Sequence, residues 1–179
     1  MEARCLYFTV HSASNLVNIR KSGEMKVYAK VSVAGKSKCT EVDVVNKTNP
    51  EWNTTFSFIV PEINIIQAQG KIYVKIELFC KRNLSHSKYV GEVNLNLDSQ
   101  CVKSSNTCSV DRSGTNYKSS AFGTLLYSSV LGDKIIVTDS SSTSSSSSDQ
   151  DYINKINIAQ VGATLVAAVV TGVAAFVGN

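Results

Sequence analysis

Basic side chains are the residues of this chain best suited to binding a partner, and six of the eighteen lie in two polar stretches. Lysine and arginine bind anionic groups, and near an anionic membrane each contributes about 1 kcal/mol at low ionic strength. Because both residue types are also common in loops, plain solvation remains an alternative for all of them. The candidate lipid-binding residues are Arg20, Lys21 and Lys26 in the first stretch, and Lys81, Arg82 and Lys88 in the second.

A second group combines tyrosine with lysine in two alternating apolar runs. Tyr28 and Lys30 lie in one run, and Tyr73 and Lys75 lie in the other. If these runs form neighbouring strands, the four side chains share a sheet face that could hold a phosphoinositide headgroup. Ordinary cross-strand pairing favours the same residue types, so both interpretations stay open.

Residues for catalysis or metal binding are scarce. The chain has no nucleophile elbow, Walker loop or HExxH motif, and its two histidines leave little general-base chemistry. Its five cysteines are scattered without a Cys-x-x-Cys motif, which favours reduced thiols of a cytosolic protein over a zinc site. We therefore predict a binding protein rather than an enzyme, with no cofactor and no metal.

Charge is unevenly divided along the 179 residues. Residues 1–103 contain 14 Lys and Arg against 9 Asp and Glu, a net charge of +5, whereas the remainder contains 4 against 5. A mildly basic amino-terminal part favours anionic partners such as lipid headgroups. No nucleic-acid partner is predicted.

The elements that would position these residues are organised around one strand rich in Phe and Thr. Trp52, Phe56, Phe58 and Val60 share one parity and polar residues hold the other, which is typical of a strand with one buried face. Pro50 pushes the preceding residue into an extended conformation, so we expect the chain to turn before this strand. Trp52, the only tryptophan, is predicted to be the largest apolar piece of the core.

Alternating apolar residues predict eight short strands separated by turns. Eight such strands indicate an all-β antiparallel sandwich formed by residues 1–137. The connection between the fourth and fifth strands is expected to be a loop that can include a helical turn. The predicted strands are 5–10, 27–33, 38–44, 52–60, 72–80, 89–97, 108–110 and 123–130, the last with 135–137 as an extension.

Several strings within this pattern together resemble the C2 domain, an eight-stranded antiparallel sandwich that docks proteins on membranes. The resemblance extends roughly over residues 5–130. The closing strand is similar to that of small plant C2 proteins of the cold-regulated and copine-associated types. The matching strings are Leu-Tyr-Phe-Thr-Val at 6–10, Val-Tyr-Ala-Lys-Val at 27–31, Lys-Thr-Asn-Pro-x-Trp-Asn-x-x-Phe-x-Phe at 47–58, Tyr-Val-Gly-Glu-Val at 89–93, and Gly-Thr-Leu at 123–125 with Tyr127.

The resemblance also implies where calcium ligands would lie, and this chain lacks nearly all of them. Calcium takes six to eight oxygen ligands and needs several carboxylates to offset its dehydration. The first-loop aspartate of the family falls at Lys26, the Asp-x-Asp pair falls at Cys80 and Arg82, and a later aspartate falls near Ser87 or Lys88. We therefore expect no calcium site. The same resemblance would bring the two basic stretches together at one tip of the sandwich.

The carboxy-terminal part differs in composition. Residues 138–155 include a serine tract that can bury little, so a flexible linker is expected. Ser148, with an acidic residue three positions later, resembles an acidophilic kinase site, although chance in a serine run explains it equally well. Residues 156–179 contain an uncharged apolar stretch at 161–177, which as a helix would be about 25 Å long and predicts a membrane segment. A soluble, self-associating helix is the alternative.

These features predict a calcium-independent C2 module that binds an anionic phospholipid membrane and protein partners. The carboxy-terminal segment would anchor it to a membrane, with the domain facing the cytoplasm. By resemblance, small plant proteins of this kind act in stress and defence responses. The alternative is a soluble protein-binding sandwich whose carboxy-terminal helix drives homo-oligomerisation.

Overall fold

Eight strands and one short helix form the part of the chain described by the computed structural model, which comprises residues 1–82, 86–112 and 122–137. The predicted all-β class is confirmed. In chain order the elements are β1 (Glu2–Ser14), β2 (Val27–Val33), β3 (Lys36–Cys39), β4 (Glu51–Pro61), α1 (Glu62–Gln67), β5 (Lys71–Cys80), β6 (Lys88–Asp98), β7 (Lys103–Ser109) and β8 (Thr124–Ile136).

Two four-stranded antiparallel sheets form the sandwich. The first sheet has the strand order β4-β1-β8-β7, and the second has the order β3-β2-β5-β6. Inward side chains alternate with outward ones because successive residues of a strand point to opposite faces. The inward residues of β2 and β5 are buried, as their alternation predicts, and these are Val27, Ala29, Val31 and Val33 together with Ile72, Val74, Ile76, Leu78 and Cys80.

The first strand and the last two strands along the chain are longer in the structure than predicted. β1 begins at Glu2 because the amino-terminal residues pair on both sides, with Ala3 opposite Pro61 on β4 and opposite Ile135 on β8. β8 accordingly runs without a break to Ile136. β7 begins well before the predicted 108–110, although its polar sequence carries little strand signal.

The predicted strand 38–44 is wrong beyond Cys39. The Thr40 hydroxyl accepts a hydrogen bond from the Ala29 amide at 3.0 Å, and a single isolated bridge then joins Asp43 to Val27. From Thr40 to Asp43 this segment advances by three residues, whereas β2 advances by only two, from Ala29 to Val27. This mismatch interrupts the regular hydrogen bonding between the two segments. The rest of the segment becomes a loop, so alternation here did not indicate a continuous strand.

Of the four predicted structural residues, three are buried, and for Phe56 and Phe58 the strand parity predicted this. Pro50 is buried, and its carbonyl accepts a hydrogen bond from the Ala13 amide at 2.9 Å. Phe56 and Phe58 are buried in the core and contact each other with ring centroids 6.3 Å apart. The proline turn thus fixes the start of β4 against β1.

Trp52 was predicted to be the largest apolar piece of the core, and this prediction is wrong. Its side chain is only half-buried and packs against the buried residues. Its Nε1 donates a hydrogen bond to the Val27 carbonyl at 3.1 Å. The next residue, Asn53, has φ of +47°, and the register between β4 and β1 shifts at this point. Such a bulge bends the strand, which accounts for the incomplete burial of the indole.

The glycine of the Tyr-Val-Gly-Glu-Val string has a packing reason. A Cβ at Gly91 would lie 2.7 Å from the Asp111 carbonyl oxygen and equally close to a Val110 methyl group. Two backbone hydrogen bonds join the next residue, Glu92, to Asp111 at 2.7 and 2.8 Å. A larger side chain at Gly91 would therefore separate β6 from the segment that follows β7.

The chain divides after Asp139 into two units, of which the first contains the whole sandwich. The predicted linker at 138–155, the candidate phosphorylation site Ser148 and the predicted membrane segment at 156–179 lie outside the described residues. Within the described ranges, no helix is long and apolar enough to cross a membrane.

We predict that Trp52→Ala lowers the free energy of unfolding less than Phe58→Ala does. Removing a buried aromatic costs about 3–5 kcal/mol, and the half-exposed indole should cost about 2 kcal/mol because less of it leaves water on folding. Urea denaturation of residues 1–137, which hold every described strand and the buried core of the described residues, measures both. Equal losses would contradict the half-burial of Trp52.

Candidate functional site

Three loops meet at one end of the sandwich, which we call the tip: residues 15–26 between β1 and β2, 40–50 between β3 and β4, and 81–82 with 86–87 between β5 and β6. The Lys81 amide donates to the Lys26 carbonyl at 2.7 Å, joining the first and third loops. The Leu16 amide donates to the Thr48 carbonyl at 3.0 Å, joining the first and second. The two basic stretches of the sequence therefore share one surface.

The six candidate basic residues lie in the tip loops or, for Lys88, at the start of β6 beside them, and Lys47 adds a seventh cation. Their surroundings differ. The Arg20 Nε donates to the Ser22 carbonyl at 3.1 Å and folds over its own loop. The Lys88 ammonium donates to the Ile19 carbonyl at 2.8 Å, linking β6 to the first loop. Lys21 and Lys81 are exposed to solvent, whereas Arg20, Lys26, Arg82 and Lys88 are partly covered.

Carboxylates near the tip serve the protein itself. Glu24 of the first loop contacts the Lys47 ammonium of the second at 2.7 Å, and this hydrogen bond lowers the pKa of Glu24. Within the described ranges, no three His, Cys, Asp or Glu residues form a group that could hold a metal ion. Calcium independence nevertheless stays a prediction.

Asp43 organises the second loop. Its carboxylate accepts hydrogen bonds from the amides of Val45, Asn46 and Glu51, each at 2.8 Å, and from the Asn46 side-chain amide. Burial alone would raise the pKa of Asp43, but these hydrogen bonds outweigh it and lower the pKa to about 2. The ionised Asp43 carboxylate thus binds the backbone on both sides of the loop, at Val45 and Asn46 and at Glu51.

This loop exposes apolar residues that sequence reasoning missed. Val44 is 53% exposed and Val45 is 72% exposed, and Val17 of the first loop is also exposed. Val44 was expected inside a strand because it continues the alternation of 38–44. The local signal of a turn is Asp43 with Asn46 three residues later, since Asp and Asn side chains bond to the nearby backbone and favour such loops.

The tyrosine and lysine residues of the second candidate group share the outer face of the second sheet, but they do not form one cluster. Tyr28 lies opposite Phe79 and stacks on it with ring centroids 5.5 Å apart. Tyr73 lies opposite Asn96, beyond the end of β2. The two tyrosines therefore lie at opposite ends of this face.

The two lysines of this face are paired with carboxylates that the sequence analysis did not include. The Lys30 ammonium lies 3.5 Å from a carboxylate oxygen of Glu77. The Lys75 ammonium lies 3.3 Å from a carboxylate oxygen of Glu77 and 3.0 Å from one of Glu92. The hydrogen bonds to Glu92 and Glu77 raise the pKa of Lys75. Two cations and two carboxylates leave this patch without net charge.

Comparison with known proteins agrees with the geometry. A sequence profile of the C2 domain matches residues 4–111, while no curated protein sequence matches the chain. A C2 domain of a plant extended synaptotagmin 1 is similar in structure, with 16% identity and a TM-score of 0.59 over 74% of this chain and 96% of that domain. A C2 domain-containing protein from a gene thought to be elicitor-responsive is 21% identical, with a TM-score of 0.54 over 72% of this chain and 88% of that one.

A larger protein also contains a similar domain. Human GIVD cytosolic phospholipase A2, in complex with methyl gamma-linolenyl fluorophosphonate, is 15% identical, with a TM-score of 0.56. The match covers 75% of this chain but only 19% of the phospholipase chain. These likenesses show the fold and no activity.

We predict that Asp43→Asn lowers the free energy of unfolding at pH 7 by about 1–2 kcal/mol, because an amide accepts fewer and weaker hydrogen bonds. The pKa of Asp43 is depressed in the folded protein, so its stabilisation is present above about pH 4 and is lost as the pH falls toward 2. Urea unfolding at pH 7 and pH 2.5 should therefore show a difference between wild type and variant that narrows in acid.

The exposed Asp133 on β8 provides a matched control. Asp133→Asn removes the same charge, but Asp133 does not hold a loop by such a set of backbone hydrogen bonds, so stability should change little. A loss equal to that of Asp43→Asn would contradict the special role of Asp43.

Proposed function

This chain belongs to the C2 domain family, and from that premise we propose that its sandwich docks on anionic membranes through the tip without calcium. The observation that carries the proposal is the backbone hydrogen bond between Lys26 and Lys81, because it brings the basic residues of two distant stretches onto one surface. A membrane presents many anionic headgroups in a plane, so cations gathered at one end of a domain can act together.

The charge of the tip supports an anionic partner. Residues 15–26, 40–50 and 81–88 contain seven Lys and Arg against three Asp and Glu, a net charge of +4. Two of the three carboxylates are already bound, Glu24 by Lys47 and Asp43 by the backbone of its own loop. The excess positive charge would therefore face the partner.

Exposed valines give the tip a second means of contact. Val44 and Val45 project from a loop that Asp43 holds in place, and Val17 is exposed on the neighbouring loop. Each apolar CH₂ group that enters the acyl region contributes about 0.8 kcal/mol. Basic residues that attract the membrane and apolar residues that enter it would together replace a calcium bridge.

The outer face of the second sheet is a weaker candidate for phosphoinositides. Lys30 and Lys75 would have to exchange their carboxylate partners for phosphate, which offsets much of the electrostatic gain. The lipid preference, the protein partners and a role in plant stress or defence remain parts of this proposal. The last rests on the resemblance of residues 123–127 to small plant C2 proteins.

We further propose that residues 156–179 anchor the protein in a membrane, with the C2 domain facing the cytoplasm. The support is compositional, because the stretch 161–177 is uncharged and rich in valine and alanine. Small residues recur at every fourth position from 163 to 175, a spacing that allows close helix–helix contact within a bilayer.

We predict that residues 1–137 bind vesicles containing anionic lipid, that EGTA leaves binding unchanged, and that salt weakens it. Exposed charges more than about 10 Å apart are screened at 0.1 M ionic strength. Changing Lys81→Glu with Arg82→Glu should weaken binding at least tenfold in a vesicle co-sedimentation assay, since both residues lie in a loop and their change removes the net positive charge of the tip.

Lys36→Glu with Lys103→Glu is the matched control, because it changes the net charge equally at exposed positions away from the tip. Its binding should stay near that of the wild type. In the same assay, Val44→Ser with Val45→Ser should remove the binding that survives high salt. A calcium requirement, or equal loss in the control variant, would contradict docking through the tip.

We predict that the full chain remains with the membrane pellet after alkaline carbonate extraction, whereas a chain ending at Asp151 is released. A spanning apolar segment resists carbonate, but peripheral electrostatic contacts do not. Complete release of the full chain would contradict anchoring. A tail-dependent oligomer in size-exclusion chromatography would then support the alternative of a soluble, self-associating protein.

A further inference from the structure

A shallow depression of about 240 Å³ lies on the second sheet, at the end away from the tip. It is formed where the β2–β3 turn approaches the strands β5 and β6. At its side, Tyr73 is 61% exposed although it lies on a central strand of the sheet. Its polar and aromatic lining includes Ser32, Tyr73, Lys75, Asn94 and Asn96.

The strand register surrounds Tyr73 with polar groups of both kinds. Tyr73 lies opposite Asn96, and the neighbouring outward positions of β5 are Lys71 and Lys75. Each lysine is bound to a carboxylate of β6, Lys71 to Asp98 at 2.9 Å and Lys75 to Glu92 at 3.0 Å. An exposed aromatic ring therefore stands between two ion pairs, with amide side chains beside it.

The absence of net charge among these described residues argues against a phosphate ligand. A phosphate group binding Lys75 would have to displace Glu92 or approach it closely, and like charges at that distance repel. A neutral polyhydroxylated ligand meets no such opposition. Its hydroxyl groups can donate to carboxylate oxygens and accept from ammonium and amide groups at the same time.

We propose that this depression binds a neutral hexose ring, carried either by a glycolipid headgroup or by a free glycan. The apolar C–H face of the sugar would pack on the Tyr73 ring, while its hydroxyl groups bond to Asn94, Asn96 and the flanking ion pairs. Aromatic rings supply apolar contact area at a small cost in conformational entropy, since only two torsions are fixed. The site is independent of the basic tip.

Two measurements with different sources of the sugar test this proposal. Residues 1–137, which contain all described strands and the core that they form, are titrated with maltose, methyl galactoside or inositol trisphosphate while amide shifts are followed by NMR. The full chain and residues 1–137 are also sedimented with phosphatidylcholine vesicles that contain or lack a neutral galactolipid. Neutral sugar should shift the amides around Tyr73, Asn94 and Asn96, with millimolar affinity for the free sugar.

Substitutions at Tyr73 separate stacking from folding. Tyr73→Thr keeps a residue that suits a strand but removes the ring, and it should weaken sugar binding about tenfold with an unchanged thermal melt. Tyr73→Phe keeps the ring and should bind nearly as wild type. The tip variant Lys81→Glu with Arg82→Glu should retain sugar binding but lose binding to anionic vesicles. The sugar site and membrane docking through the tip are therefore tested independently.

Three results would overturn the sugar site. The first is that neutral sugars shift no amides and galactolipid adds no vesicle binding that depends on Tyr73. The second is that inositol trisphosphate, but no neutral sugar, shifts the amides of the depression. The third is that neutral sugars bind equally to Tyr73→Thr and to the wild type.

Discussion

The register of β2 against β5 is the constraint on which the rest of this structure depends. Val27, Val31 and Val33 pair with Cys80, Ile76 and Val74, and all six side chains enter the core. The same register sets Lys30 opposite Glu77 on the outer face. A slip by one residue would exchange the two faces, burying charges and exposing valines, at a cost of several kcal/mol.

The register also determines where the loops begin. β2 starts and β5 ends at paired positions, so the first and third loops leave the second sheet side by side. The hydrogen bond from the Lys81 amide to the Lys26 carbonyl follows directly from that arrangement. The tip is thus a consequence of core packing, and its chemistry can vary without disturbing the sheets.

Identical residue types have different consequences at the two surfaces because their partners differ. Lys21 and Lys81 are exposed in loops and leave positive charge available. Lys30 and Lys75 lie on a sheet whose next strand presents glutamates, so their charges are compensated. An anionic membrane should prefer the first surface, whereas a neutral polar ligand suits the second. Counting lysines in the sequence would treat both surfaces alike.

The sequence by itself determined the fold class and the inward side of most strands. Residues such as Val31 and Ile76 alternate with polar neighbours over long runs, and burial of one face requires that period. The proline turn was equally readable, because proline restricts the local backbone. Gly91 was only part of the family resemblance, and its close approach to Asp111 and Val110 depends on tertiary packing. The convergence of the two basic stretches was also predictable, but only through the resemblance to a known family.

Only the tertiary structure decided how each candidate residue is surrounded. The half-burial of Trp52 depends on a bulge at Asn53, and the exposure of Val45 depends on four hydrogen bonds to the Asp43 carboxylate. The pairing of Lys75 with Glu92 joins residues on different strands. The bulge and the Lys75–Glu92 pair each depend on a neighbouring strand, so no local pattern of residue types records them, whereas the Asp43 turn leaves a local signal in Asn46.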